Sequence, residues 1–341
     1  MIQSPGEVKM AANQEPSLSP RRFAVLGCGR MGRLHTTRLQ QDARALVTTL
    51  FDVDRSMAEC LKQDLLPHAN VCNSLDEVLA RDDVDAAVIC TPTSSHAEQL
   101  KACLAQQWPV LCEKPLADSA EAIRELIEIV SQSGTPCSIA YQRRSSALYR
   151  TLRREVLSGR WGPVRSVSSH TSERWQQTIA GTWRDDPAIN VGGFLGDAGS
   201  HKVDVLFYVT GLDVAEVFAR SDKCGSRVEI VTSISAISTD GVPITLDFAG
   251  NAHHLSEDLH IHCAEADLMI RDMRPWIARH NSVEPIHPLE PESQPVESFL
   301  NLLDRTSTND APIDCAWPVF AFTQATLESA ATGRRVNVPS Q

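Results

Sequence analysis

Phe23-Ala24-Val25-Leu26-Gly27-Cys28-Gly29-Arg30-Met31-Gly32-Arg33-Leu34-His35 is the stretch that decides the fold. Four consecutive apolar residues read as a buried strand. They run straight into Gly-x-Gly-x-x-Gly, and Met31 to Gln40 then carries a helical pattern. A strand, a glycine turn and a helix N-terminus in that order make a phosphate cradle. Side chains in the turn would block backbone approach to a pyrophosphate, and the first N–H groups of the helix offer partial positive charge. Gly27, Gly29, Arg30, Met31 and Gly32 are therefore expected to hold a dinucleotide. Asp52 follows Gly32 by twenty residues, at the end of a second strand pattern over 46–51. A carboxylate there accepts hydrogen bonds from a ribose 2′-OH and repels a 2′-phosphate, which favours NAD, while Arg55 leaves NADP open. The competing reading is a glycine turn used only for packing; the strand, helix and acid around this one argue against it.

Outward from the turn, strand patterns at 86–90, 109–112 and 136–141 alternate with helical patterns at 56–65, 95–106 and 119–132. Such alternation predicts a doubly wound parallel sheet, an α/β Rossmann domain over 21–141. The character changes at 142. A helix over 146–158 leads to strand patterns at 164–168, 215–219, 228–237, 244–248, 259–263 and 268–270, most of them with no helix between them. That is an antiparallel sheet, so 142–341 is expected to be an α+β substrate-binding domain. Residues 273–295, rich in Pro, His and Glu, read as a loop, and helices are expected at 296–303 and 319–331. Residues 1–20 are polar, with Pro and Ser, and read as a loose tail.

The formal charge of −11 comes without a Lys/Arg run, which excludes an electrostatic nucleic-acid face. No apolar stretch approaches the roughly 18 residues of a membrane span, and the N-terminus lacks a signal-peptide core. Ten cysteines without a Cys-x-x-Cys pair, several within apolar runs, read as reduced thiols of a cytoplasmic protein.

Lys114, in Glu113-Lys114-Pro115, follows the strand 109–112, at the strand end that faces the ligand crevice of a doubly wound sheet. Its ammonium is expected to meet substrate there; a surface lysine in a strand-to-helix turn is the alternative. In Gly192-Gly193-Phe194-Leu195-Gly196-Asp197-Ala198-Gly199-Ser200-His201, Asp197 and His201 are four apart, the spacing of one helix face. An imidazole beside a carboxylate suits proton transfer near neutral pH. A helix-capping Asp with an unrelated His, or a metal site with Asp204, compete with this. No HExxH or Cys/His cluster accompanies them, so no metal is expected. His260 and His262 share one strand face and Cys263 takes the other, which fits packing better than ligation.

Taken together, these motifs make the chain resemble the Gfo/Idh/MocA family of oxidoreductases over nearly all of 21–341. The resemblance is carried by GCGRMGRLH (27–35), TPTSSHAE (91–98), EKP (113–115) and GGFLGDAGSHKVD (192–204), and more weakly by YQRRSSALYR (141–150), TWRDDP (182–187), VESFLNLL (296–303) and ESAATGRRV (328–336). It implies a large open sheet in the second domain, whose outer face makes a homodimer or homotetramer. It implies a catalytic Lys114, an acid–histidine pair Asp197 and His201, and a Lys114–Pro115 bond that is cis. Thr91, Pro92 and His96 would line the cofactor, with Glu113 and Gln142 near the nicotinamide. The implied reaction is hydride transfer between NAD(P) and a small hydroxylated substrate, a sugar, inositol or related polyol. The family also contains NAD-retaining glycosidases and sugar–sugar oxidoreductases, and a non-catalytic dinucleotide-binding regulator is a third class. Arg143, Trp183 and Arg184 are candidates for the substrate side, though surface charge and core packing explain them equally well. The segment His262–Asp267 lacks the family's Gly-Thr-x-Gly turn.

Overall fold

The computed structural model describes residues 19–341, so the tail expected over 1–20 lies, but for its last two residues, outside the described residues. The first sheet is assembled from β1 (Arg21–Leu26), β2 (Ala45–Phe51), β3 (Asn70–Cys72), β4 (Ala86–Ile89), β5 (Val110–Cys112) and β6 (Cys137–Ile139). The helices between them are α1 (Arg30–Gln40), α2 (Arg55–Leu65), α3 (Leu75–Leu79), α4 (His96–Ala105) and α5 (Ala120–Ser133). The strands are parallel in the order β3-β2-β1-β4-β5-β6. Strand order reverses between β1 and β4, and ligands of doubly wound sheets bind outside the strand ends at that point. Phe23, Val25 and Leu50 face one apolar layer, and Ala24, Leu26, Ile89, Leu100 and Ile123 the other. The short β3 and α3 were not readable in the sequence.

The second half begins with α6 (Ala147–Leu157), β7 (Val164–Ser172), α7 (Trp175–Ile179), α8 (Gly193–Gly196) and α9 (Ser200–Thr210). It continues through β8 (Val214–Asp222), β9 (Val231–Ser238), β10 (Pro243–Ala249), β11 (Ser256–Cys263), β12 (Asp267–Arg271), β13 (Arg274–Arg279) and β14 (Ser282–Pro285). Last come α10 (Pro295–Leu303), α11 (Ala316–Thr332) and β15 (Val336–Asn337). The nine strands form one sheet, β14-β13-β12-β11-β7-β10-β9-β8-β15, antiparallel except where β7 meets β10. In β9, Thr232, Ile234, Ala236 and Ser238 are buried while Ser233, Ser235 and Ile237 are exposed, the alternation of a sheet covered on one face. His260 and His262 lie on the more open face of β11, and Cys263 is buried.

The expected loop 273–295 is corrected in its first half, which folds into β13 and β14. Its prolines occupy positions that a strand tolerates, Pro275 next to the start of β13 and Pro285 at the end of the edge strand β14. α10 packs through Val296, Phe299 and Leu300 on the first sheet, alongside Phe23 and Leu50. Among the described residues, no helix is long and apolar enough to cross a membrane. All ten cysteines carry free thiols.

The glycine turn allows no side chain at its base. A Cβ on Gly32 would lie 1.9 Å from the Gly27 carbonyl oxygen, and Gly27 itself has φ of +90° with Cys90 backbone 2.6 Å from a Cβ. Both obstacles are backbone and cannot swing aside. Gly32→Ala is therefore expected to destabilise the chain by about 3 kcal/mol or more, read as a lowered melting temperature.

Candidate active site

The end of β1 meets the phosphate turn at the strand-order reversal. A Cβ on Gly29 would meet nothing within 4 Å, so the turn opens to free space there. α1 starts at Arg30 with no side-chain cap and no acid in its first turn, which leaves its leading N–H groups for an anion. Asp52 stands beside the turn, its Oδ2 accepting from the Cys28 N–H at 2.7 Å and its Oδ1 from the Asp54 N–H at 3.0 Å. Arg55 is engaged elsewhere: it donates to Glu59 at 2.8 Å and also to Asn73. Open space over the turn, free N–H donors and a fixed carboxylate fit the pyrophosphate and ribose of a dinucleotide.

After β4, the Cys90–Thr91 backbone abuts Gly27, with Thr91 N 2.6 Å from where a Gly27 Cβ would lie, and Pro92 follows, exposed. His96 does not face the open space over the turn. The ring is buried, its Nδ1 2.9 Å from the Pro115 carbonyl and its Nε2 2.8 Å from that of Thr91. His96 thus ties the Thr91 loop to the turn after β5, and burial pulls its pKa down. Both ring nitrogens are occupied by backbone carbonyls, so a cofactor role for His96 would run through the wall these loops form. Glu113 is also buried, its Oε1 2.8 Å from His35 Nε2 and its Oε2 accepting from the Lys114 N–H at 3.2 Å. Gln142 is exposed at the start of the 3-10 turn after β6.

The Lys114–Pro115 bond is cis, and the lysine reaches across to the second half of the chain. Its Nζ donates to the Asp197 backbone oxygen at 2.9 Å and to Asp197 Oδ1 at 3.2 Å. Arg184 Nε donates to Asp197 Oδ2 at 2.8 Å. Burial raises the Asp197 carboxyl, but the charges of Lys114 and Arg184, and the hydrogen bonds from both, outweigh it and hold it below the usual carboxylate range.

The expected pairing of Asp197 with His201 on one helix face is corrected. Gly196 and Gly199 break the helical pattern, α9 begins only at Ser200, and Asp197 sits before it at φ −92° and ψ −87°. Its carboxylate is spent on the two cations. His201, half-buried in the first turn of α9, has a buried Nδ1 without a hydrogen-bond partner and meets the edge of Tyr141, centroids 6.2 Å apart. Burial, then the charges of Lys114, Arg143 and Lys202, pull its pKa well below the ordinary 6.5. The imidazole is neutral at physiological pH, the state of a base.

Arg184 stacks on the exposed Trp183, its guanidinium carbon 4.2 Å from the ring centroid, in the 3-10 turn Trp183–Asp185. Arg143 donates to Glu257, and its Nε is buried without a partner. Sequence reasoning missed Glu257 and its second cation Lys202, 2.5 Å away, because partners this far apart leave no local pattern. It also missed Glu173 at the end of β7, whose carboxyl is raised by burial and by Glu257. Asp204, considered above as a ligand, is buried in an ion pair with Arg144 at 2.7 Å. Among the described residues, no three His, Cys, Asp or Glu gather to hold a metal ion.

A family model described as oxidoreductase family, NAD-binding Rossmann fold, matches residues 21–141, and a GFO/IDH/MocA C-terminal domain model matches 149–269. Inositol 2-dehydrogenase of Rhizobium meliloti strain 1021 is 22% identical over 335 residues, 93% of this chain and 99% of its own. Inositol 2-dehydrogenase of Pseudarthrobacter chlorophenolicus is 31% identical over 204 residues, 59% of this chain and 58% of its own. In fold, the chain is similar to scyllo-inositol dehydrogenase from Lactobacillus casei with bound NAD(H) and scyllo-inositol. The TM-score is 0.80 at 19% identity, covering 94% of this chain and 100% of that one.

Proposed function

The chain belongs to the Gfo/Idh/MocA family of oxidoreductases, and from that premise we propose that it is an NAD-dependent dehydrogenase acting on a secondary hydroxyl of an inositol or a related sugar polyol. One observation carries the reading: the Lys114 ammonium reaches from one half of the chain to Asp197 in the other, near enough to the neutral His201 imidazole for its charge to act on it. The relatives named inositol 2-dehydrogenase support the substrate class.

NAD, when bound, supplies the acceptor for the carbinol hydride. Gly27, Gly29, Arg30, Met31 and Gly32 would hold its pyrophosphate and Asp52 its ribose diol, with Thr91, Pro92, Glu113 and Gln142 toward the nicotinamide end. His201 takes the hydroxyl proton on Nε2, since its Nδ1 is buried. Lys114 donates to the oxygen as negative charge develops there, an electrostatic contribution that is large in a water-poor cleft. Asp197 orients Lys114 rather than His201, and shares its charge with Arg184. Arg143, Trp183 and Arg184 form the substrate side. Assembly as a homodimer or homotetramer through the outer face of the nine-stranded sheet belongs to the same reading; exposed Phe218 and Ile237 on that sheet support it.

The test is NADH formation from myo-inositol, scyllo-inositol and glucose, with NADP in parallel. Absence of turnover on every polyol, with NAD bound, would leave a nucleotide-binding protein without this activity. Asp52→Asn removes the charge that repels a 2′-phosphate while keeping the shape of the side chain. It is expected to weaken NAD binding about tenfold and to narrow the gap to NADP, measured by fluorescence titration of both.

A further inference from the structure

We propose that Lys202, Glu257 and Tyr149 are positioning residues that brace Arg143 at the cleft wall beside His201. This rests on the dehydrogenase reading above and adds residues to it.

Glu257, on β11, is buried and has both oxygens engaged. Oε1 accepts from Arg143, which stands in the 3-10 turn after β6. Oε2 accepts from the Tyr149 hydroxyl at 3.1 Å and from Lys202 Nζ at 2.5 Å, and Lys202 also donates to that hydroxyl. Four elements thus converge on one carboxylate: α6, α9, β11 and the turn. The cavity behind them, lined by Tyr149, Ser169, Lys202 and Glu257 among others, is about 10 Å³. That is room for about one water and excludes any polyol. The network therefore meets substrate only through Arg143.

A buried lysine is a poor way to stabilise a core. Replacing a buried ion cluster by apolar residues of like volume is often neutral or stabilising. Its charge here has a local consequence instead. Two cations share one carboxylate, so positive charge remains next to His201, the residue preceding Lys202 in α9. The groups facing Lys202 are Glu257 from β11, Arg143 from the turn, Tyr149 from α6 and Glu173 from the end of β7. Burial pulls the Lys202 ammonium down to about 8, with Glu257 holding it up against Arg143. It is charged at neutral pH and, after Lys114 from the turn beyond β5 and Arg143, helps keep the neighbouring His201 imidazole, packed against Tyr141, unprotonated. Without it, Glu257 would neutralise Arg143 alone, and both the substrate contact and the field on His201 would weaken.

The full-length chain is assayed with NAD and myo-inositol, scyllo-inositol and glucose, using whichever is oxidised. Lys202→Met is expected to raise KM about tenfold, the value of one hydrogen bond to a charged group, with a smaller change in kcat. The acid limb of its kcat/KM profile moves to higher pH, because removing a cation lets His201 take its proton more readily. Lys202→Arg restores both. Tyr149→Phe removes a hydrogen bond but no charge, so it raises KM less and leaves the acid limb in place. A folded Lys202→Met with unchanged KM, or with an unmoved acid limb, overturns the brace while the dehydrogenase reading stands. If Lys202→Met does not fold, an unchanged KM in Tyr149→Phe overturns it. If the wild-type chain oxidises none of the three, the dehydrogenase reading fails first and this one with it.

Discussion

Lys114→Ala lowers kcat about a thousandfold and leaves the Kd for NAD within about twofold of wild type. The magnitude is that of removing a preorganised donor to a developing oxyanion. Nζ bonds to Asp197 and to neither the glycine turn nor Asp52, so the glycines and Asp52 keep their geometry. Asp197 keeps Arg184 as a partner at 2.8 Å, which prevents an unpaired carboxylate from distorting the site. Lys114→Arg does not rescue, because the bulkier planar fork cannot hold Asp197 and also aim a donor where the compact ammonium's third N–H would meet substrate. Steady-state kinetics and NAD titration on the same preparations check both halves. A kcat within tenfold of wild type would remove Lys114 from the chemistry. The neutral His201 adds a pH signature to the fold. The unfolded chain takes up a proton near 6.5, while the buried imidazole does so only well below that. The unfolded state binds more protons in that window, so this group's contribution to stability declines as pH falls from 6.5 toward the folded value.

The sequence was most legible where one short segment carries a complete physical device. The apolar run 23–26, the three glycines and Asp52 sit at fixed spacings because β1, the turn and α1 must close on one another without side chains in the turn, with Asp52 bonded to its Cys28 N–H. The period-2 pattern of β9 and the long helical stretch ending at Gly333 were legible for similar reasons. What escaped depends on partners distant in sequence or on backbone conformations without a residue signature. The β12–β13 hairpin turns through Asp272 and Met273, with φ of +50° and +56°, where the usual Asn-Gly or Asp-Gly signal is absent. The return of α10 to the first sheet follows from tertiary packing, since its own periodicity names no partner. At the site, the spacing of four between Asp197 and His201 was misleading because it assumes one helix, and Gly196 and Gly199 deny it. Glu257 was invisible for the opposite reason: its three partners lie on other elements, and a lone Glu in an alternating strand looks like an outward-facing residue.

Asp204→Asn destabilises the chain by about 3–5 kcal/mol, the loss expected when one partner of a buried ion pair is neutralised. Asp204, fully buried on α9, takes Arg144 Nε at 3.0 and 2.9 Å and its terminal nitrogen at 2.7 Å. Arg144 also donates to the Asp310 carbonyl at 3.0 Å and lies over the Tyr208 ring, 4.9 Å from its centroid. With the carboxylate gone, the guanidinium keeps its buried position and its hydrogen bonds to neutral oxygens, but it loses the charge that offset its desolvation. The double variant Arg144→Met/Asp204→Leu removes both charges and is expected to be closer to wild type in stability than Asp204→Asn, a non-additivity that identifies the pair as the source. The same pair anchors the turn after β6 to α9, and α9 carries His201 three residues before Asp204. The folded fraction of Asp204→Asn should therefore also lose kcat, whereas breaking a surface ion pair such as Arg22–Asp85, with side chains 38% and 40% exposed, should leave both the urea midpoint and kcat close to wild type. Urea unfolding of the three variants decides it. Equal stability of Asp204→Asn and the Arg22–Asp85 variant would mean that the buried pair is not what fixes α9 in place.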